Sequence, residues 1–283
     1  MGTKIQNIVI VIIAGIIVFG IIFSAWMPGK AESDRAAFAR AAPGDWGLGY
    51  FEDGSQPKGN SDKEYLRQFD AYYVGAEDEK VIYLTFDAGY ENGYTESMLD
   101  VLKEEGVPAA FFLTGHYFTS SGDLVRRMVE DGHIVGNHTV NHPDMSKVSD
   151  SERFEREILG IEELYQEVVG KAMPKYYRPP SGRYSGESLR KVQEMGYASI
   201  FWSLAYADWD NDNQPTKETA FSRLSERMHP GAVVLLHATS RTNSEILGEL
   251  IAMWKQMGYR FESLDHLVGQ MEKGASAPEG AAG

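Results

Sequence analysis

The chain has 283 residues, 43% hydrophobic and 12% aromatic, which is enough apolar surface for a folded core and too much for a disordered chain. Its formal net charge of −14 argues against a nucleic-acid partner, because phosphate attraction needs clustered Lys and Arg. The absence of cysteine excludes disulfides, thiolate metal sites and thiol nucleophiles, so any metal must be held by His and carboxylate.

After Lys4, the stretch IVIVIIAGIIVFGIIFSAWM (Ile8–Met27) carries no charge over the length that crosses ~30 Å of hydrocarbon. Trp26 falls where an interfacial aromatic would anchor it. Residues 1–27 are read as a membrane anchor or uncleaved signal, single-pass, with the bulk of the chain outside the cytoplasm. A cleaved signal and a secreted product form the alternative, although the apolar run is long for a signal peptide and no clean small-x-small site follows it. Residues 28–45 form a polar, Ala-rich linker, and the low-complexity tail at 273–283 is expected to be disordered.

Between them, apolar, β-branched or aromatic runs recur at 81–87, 109–115, 133–138, 175–180, 197–204, 231–238 and 259–264. A helix-like segment follows each, and several of these end at a glycine: Gly106, Gly132, Gly170, Gly196 and Gly258. The helix after the third strand opens with Ser149-Asp150-Ser151-Glu152, which fits a capping box. Strand and helix alternating seven times implies parallel strands with crossover helices, in an open sheet or a barrel. No phosphate-binding glycine fingerprint follows the first strand, which favours an α/β fold of the distorted (β/α)7 barrel type over residues 46–272.

In a parallel barrel the chemistry sits at the C-terminal ends of the strands. TFDAGYENGYT (85–95) ends the first strand in Asp87, where a turn-forming helix cap is the plain alternative to a working carboxylate. GNHTVNH (136–142) ends the third with His138, and His142 follows four residues on, so that a single turn would aim both imidazoles at one ion. Arg178 ends the fourth strand in RPPSG, Asp208 and Trp209 follow the fifth, and His237 ends the sixth. His116 follows the second strand. His133 and His229 precede their strands and His266 lies on the last helix, so these three are read as structural.

The sequence resembles the NodB-like polysaccharide deacetylases, carbohydrate esterase family four, over residues 46–270. TFDAG, HTVNH, RPPSG, DW (208–209) and LLH (235–237) match the five family motifs in order, and TFDAGYENGYT with WSLAYADW points to the muramic acid de-N-acetylases that begin δ-lactam formation in spore-cortex peptidoglycan. The resemblance implies metal-assisted hydrolysis of an N-acetyl amide on a peptidoglycan glycan strand. Asp87 would be the general base, tuned by Arg178. His237 would be the general acid, kept protonated by Asp208. His138 and His142 would hold a divalent ion (zinc or similar), Ser181 would help stabilise the oxyanion through its N–H, and Trp209 and Leu235 would wall the acetyl pocket.

One position departs from the family pattern. Ala88 stands where most members carry the aspartate that is the third metal ligand, so weak metal binding is expected unless Glu91, Asn92 or His116 substitutes. Two further readings stay open: a catalytically inactive glycan-binding module that has lost its metal site, and an unrelated metal-free barrel hydrolase using Asp87 and His237.

Overall fold

A computed structural model of the chain describes residues 44–51 and 54–276. The expected anchor at 1–27, nearly all of the linker and the end of the tail lie outside the described residues. Among the described residues no helix is long and apolar enough to cross a membrane.

A two-residue antiparallel ribbon, β1 (Leu48–Gly49) with β2 (Lys58–Gly59), precedes the short helix α1 (Lys63–Arg67) and strand β3 (Ala71–Tyr72). The main run follows: β4 (Val81–Ala88), α2 (Thr95–Glu105), β5 (Ala109–Leu113), α3 (Gly115–Ser120), α4 (Gly122–Glu130), β6 (Ile134–Asn137) and α5 (Ser151–Val169). It continues through β7 (Tyr176–Tyr177), α6 (Gly186–Glu194), β8 (Ala198–Ile200), β9 (Leu204–Ala205), α7 (Lys217–Glu226), β10 (Ala232–His237), α8 (Arg241–Gln256), β11 (Arg260–Phe261) and α9 (Leu264–Ser276). The last helix thus extends past the expected domain end at 272.

Strands β3 to β11 form one parallel sheet in the order β3-β8-β7-β6-β5-β4-β10-β9, with β11 pairing the start of β4. The sheet curls, with helices packed on its outer face, as the strand–helix alternation implies. It is not a fully laddered barrel: the edge strands β3 and β9 do not pair. An antiparallel bridge between Val74 and Ala232, with a bond from the Gly75 N–H to the Gly231 carbonyl (2.8 Å), links the segment after β3 to the start of β10 instead.

Two features of the ladder were not visible in the sequence pattern. The two-residue β3 is an additional strand. The run expected at 197–204 divides into β8 and β9 because its halves serve different neighbours. Phe201 N–H bonds to Tyr72 on one side, and Leu204 and Ala205 pair with Val234 and Leu235 on the other. All five stop glycines adopt positive φ, between 62° and 85°, as a helix-terminating position requires. The expected capping box does not form at Ser149. Asp150 is the cap of α5, its carboxylate accepting from the Arg153 N–H at 2.6 Å.

The two-residue period of the strands sorts the core into layers. Ile82, Leu84 and Phe86 of β4, with Phe111, Leu113 and Leu236, face outward. They pack against helices such as α8, whose Ile246, Leu247, Leu250, Ile251 and Trp254 repeat at helical spacing. Val81, Tyr83, Ala110, Phe112, Ile200 and Val233 face inward, with Leu264 and Leu267 of α9 against them. Continuing that inward register to the strand ends gives Asp87 after Thr85, His138 after Gly136, Arg178 after Tyr176, and His237 after Leu235. The alternation that builds the interior therefore delivers four ionisable side chains to its open end.

Gly136 shows how tightly that interior is filled. A Cβ there would meet the Phe112 ring at 2.7 Å, and that ring lies 4.2 Å beneath the Arg178 guanidinium. Gly136→Ala is expected to lower stability by about 1–3 kcal/mol through overpacking, read as a lower urea midpoint. An unchanged midpoint would show that Phe112 yields without strain.

Candidate active site

Arg178 is fully buried between β7 and its neighbours, and a buried guanidinium must have its donors satisfied. Its Nε donates to the Ile200 carbonyl (2.9 Å), and its Nη2 donates to Thr85 Oγ1 (2.8 Å) and the Phe201 carbonyl (3.3 Å). Its Nη1 donates to Asp87 Oδ1 at 2.7 Å. Asp87 is only 6% exposed, and that burial opposes ionisation. The Arg178 charge and hydrogen bond, with the His237 charge, more than offset it, and they hold the carboxyl below its ordinary range.

The second Asp87 oxygen faces His138 Nε2 at 3.5 Å. Burial pushes the His138 pKa down to about 4, so the ring is neutral near pH 7. The neutral ring donates through Nδ1 to the Arg178 carbonyl (2.9 Å), which leaves the Nε2 lone pair toward the cleft. His142 stands beside it with ring centroids 4.8 Å apart, and desolvation lowers its pKa as well. The expected helical turn between them is absent. Thr139 (φ 67°) and His142 (φ 56°) are left-handed instead. Pro143 excludes the helical region for His142. The bonds from Thr139 N–H to Asn137 Oδ1 and from His142 N–H to Thr139 Oγ1, both 2.9 Å, hold the alternative shape.

On the other side of Asp87, His237 Nδ1 lies 2.7 Å from Asp208 Oδ1, and the His237 backbone N–H donates to Asp208 Oδ2 at 2.8 Å. Burial disfavours the imidazolium, but the Asp208 charge and hydrogen bond outweigh it, and the His237 pKa is raised. Asp208 is itself fixed by Asn243, whose Nδ2 donates to Asp208 Oδ2 (2.6 Å) and to the His237 carbonyl (3.1 Å). The Tyr206 hydroxyl donates to Asn243 Oδ1 and so sets the orientation of that amide.

Asp87, His138, His142 and His237 line one cleft of about 460 Å³, with Ala88, Gly89, Thr114, His116, Val140 and Asn141. Arg178 and Asp208 stand behind it as the partners of Asp87 and His237. Leu235 is buried on the inner face of β10, Trp209 is exposed with its ring 6.1 Å from that of His237, and Ser181 is exposed with a left-handed backbone (φ 53°). These three lie outside the cleft lining. Among the structural histidines, His133 and His229 are buried, with His229 Nε2 2.9 Å from Ser203 Oγ, and His266 Nδ1 lies 3.0 Å from the Tyr83 hydroxyl.

Thr85 and Asn243 are site residues that the sequence reading did not single out. Thr85 was detectable, since it sits two positions before Asp87 on the same strand face. No local spacing marks Asn243, which reaches Asp208 from 35 residues away.

The family's divalent ion can be tested against this donor set. His138 and His142 offer two neutral imidazoles on one cleft, and Ala88 offers no oxygen. Among the described residues no group of three or more His, Asp or Glu is placed to hold a metal. Glu91 is engaged elsewhere: Oε1 accepts from the N–H groups of Gly93 (2.6 Å), Tyr94 (2.9 Å) and Thr95 (3.3 Å), and Oε2 accepts from the Tyr117 hydroxyl (2.8 Å). The Asn92 amide donates to the Thr239 carbonyl at 2.9 Å. The donors available to such an ion are the two imidazoles, with no third His, Asp or Glu grouped with them among the described residues.

Known proteins are similar to this chain in sequence and fold. A family model described as polysaccharide deacetylase matches residues 75–200. The peptidoglycan-N-acetylmuramic acid deacetylase PdaA of Bacillus subtilis is 39% identical over 241 residues, covering 84% of this chain and 91% of that protein. A solved structure of Bacillus subtilis PdaA, a family 4 carbohydrate esterase, matches with a TM-score of 0.77 at 38% identity, covering 80% of this chain and 97% of that one. A peptidoglycan-N-acetylglucosamine deacetylase of Bacillus cereus is 32% identical over 206 residues, covering 71% of this chain and 72% of that protein. With the fold, the cleft and the relatives in agreement, this chain belongs to the polysaccharide deacetylase family, carbohydrate esterase family 4, and is a hydrolase of carbon–nitrogen bonds other than peptide bonds.

Proposed function

We propose that the chain removes the N-acetyl group of peptidoglycan amino sugars, N-acetylmuramic acid foremost, on the outer side of the cytoplasmic membrane. The observation that carries the chemistry is one cleft holding a carboxyl with a lowered pKa and an imidazole with a raised one. The similarity to PdaA supports muramic acid as the sugar, and the uncharged run at 8–27 supports a membrane-anchored, extracytoplasmic placement.

In this reading Asp87, ionised beside Arg178, takes a proton from water as the water oxygen forms a bond to the acetyl carbon and the carbonyl π pair moves onto the carbonyl oxygen. His237, protonated through Asp208, then gives its proton to the sugar nitrogen as the C–N bond breaks, leaving a free amine and acetic acid, which loses its proton to solvent as acetate. Leu235 and Trp209 flank the acetyl methyl, and the Ser181 N–H serves the developing oxyanion. His138 and His142 would hold a divalent ion, which would supply Lewis-acid polarisation of the acetyl carbonyl when bound. A pure glycan-binding module has no need of two ionisable groups tuned in opposite directions by buried partners, which favours the hydrolase reading over an inactive one.

Three outcomes test the reading. Asp87→Asn should lower kcat by at least ~10²-fold, the scale of a lost general base, when acetate release from peptidoglycan strands is measured. Full activity in that variant would contradict the role. Mass spectrometry of the product sugars should place the free amine on muramic acid, and a product carrying it only on glucosamine would overturn the substrate.

The kcat/KM–pH profile should be bell-shaped, with Asp87 on the acid limb and His237 on the basic limb. Asp208 raises the His237 pKa, so Asp208→Asn should move the basic limb to lower pH and leave the acid limb nearly in place. A basic limb that does not move would remove His237 from the role of acid.

His138→Ala and His142→Ala should each reduce the metal-to-protein ratio after loading with zinc and brief dialysis, as measured by elemental analysis. Unchanged metal content in both variants would show that these imidazoles do not hold the ion.

A further inference from the structure

Two large aromatic side chains beside the cleft do not serve the core. Tyr90 is 45% exposed and Trp209 is 61% exposed. Tyr90 follows the cleft-lining Gly89 in the chain, and the Trp209 ring lies against the cleft-lining His237. Exposed apolar surface at the rim of a cleft marks a place where something is expected to sit.

The Tyr90 ring and the loop that carries Trp209 are also held in place. The Asn211 amide donates to the Tyr90 hydroxyl, which ties the loop after β4 to the loop that carries Trp209. Gln214 Nε2 donates to the carbonyls of Asp208 and Asp210, both at 2.9 Å, and braces that second loop from within. On the other side Glu91, the neighbour of Tyr90, is pinned by three backbone N–H groups and the Tyr117 hydroxyl. An aromatic face ordered before binding loses little conformational entropy on contact.

The charge around the rings narrows the ligand. Asp210 and Asp212 are exposed on the Trp209 loop, Glu91 stands beside Tyr90, and neither 88–95 nor 206–216 contains Lys or Arg. These two loops themselves offer a carboxylate no cation, and they suit an uncharged ring that has an apolar face and hydroxyl edges. We propose that Tyr90, together with Trp209, forms a sugar-stacking subsite that holds an uncharged N-acetylhexosamine ring adjoining the sugar whose acetyl group is removed. The proposal rests on the function given above and deepens it. The catalytic position receives one sugar, whose acetyl group meets the side of the Trp209 ring near His237, and Tyr90 with the exposed remainder of the Trp209 ring grips its neutral neighbour along the strand.

The test uses zinc-loaded full-length protein carrying Asp87→Asn, so that ligand is bound without turnover, and isothermal titration with chitotetraose. Adding Tyr90→Ala should weaken binding about tenfold, the scale of one lost aromatic contact, while Tyr90→Phe, which keeps the ring and loses the tie to Asn211, should weaken it less than about threefold. A hyaluronan tetrasaccharide, whose alternate rings carry carboxylates, should bind more weakly than chitotetraose. Unchanged binding in Tyr90→Ala, equal losses in the Ala and Phe variants, or equal affinity for the two oligosaccharides would overturn the subsite. Acetate release from peptidoglycan by the wild-type protein separates the two claims. Release with an indifferent Tyr90 would sink the subsite alone, and no release with a Tyr90-dependent affinity would sink the catalytic reading alone.

Discussion

A guanidinium with no exposure to water is the constraint around which the rest of this structure is arranged. Removing Arg178 from solvent costs several kcal/mol unless its donors and its charge are met. They are met from two other strands, by the Asp87 carboxylate and Thr85 hydroxyl of β4 and by the Ile200 carbonyl at the end of β8 with the Phe201 carbonyl next to it, while Arg178 itself follows β7. The Phe112 ring of β5 covers one face. The same contacts that make the cation tolerable inside the curl also draw strands β4, β7 and β8 together at the end where Asp87 emerges. Fold and charge state are therefore not separable here: take away Arg178, and Asp87 becomes an uncompensated buried carboxylate.

A second set of contacts mirrors the first with the opposite effect on a proton. Asp208, itself buried, is held by Asn243 and the His237 backbone, so it presents one oxygen to the His237 ring. The cation partner lowers one pKa and the anion partner raises the other, and the two tuned groups face a single cleft. Environments that push neighbouring titratable groups apart are the physical signature of an acid–base pair. The two imidazoles on the third side are neutral and available as ligands, which is the state a metal requires.

Much of this was legible in the sequence because strands repeat every two residues. Once 81–87 is a strand with one face inward, Asp87 must share that face with Val81, Tyr83 and Thr85, and the same logic places His138, Arg178 and His237. What the pattern could not show depends on contacts between distant segments. The two residues of β3 are too few to display a period, and the division of 197–204 follows from which neighbours each half meets. The left-handed turn at Thr139 and His142 replaces the expected helical one because Asn137 and Thr139 supply the hydrogen bonds that stabilise it. Glu91 is an open metal candidate in the sequence, and only the fold reveals that backbone N–H groups and Tyr117 already occupy both its oxygens. Trp209 is marked in the sequence by the DW motif, whereas nothing there singles out the Tyr90 ring, and it is exposure that distinguishes both from the aromatic residues of the core.

The most direct test of the opposed tuning is an NMR titration of the metal-free protein, labelled at its aspartate carboxyls and histidine rings and assigned with Asp87→Asn and His237→Gln. Asp87 is expected to titrate below the ordinary 3.8 and His237 above the ordinary 6.5, so that across neutral pH the carboxylate and the imidazolium coexist in one cleft. An Asp87 midpoint above 3.8, or a His237 midpoint below 6.5, would contradict the assignment of base and acid.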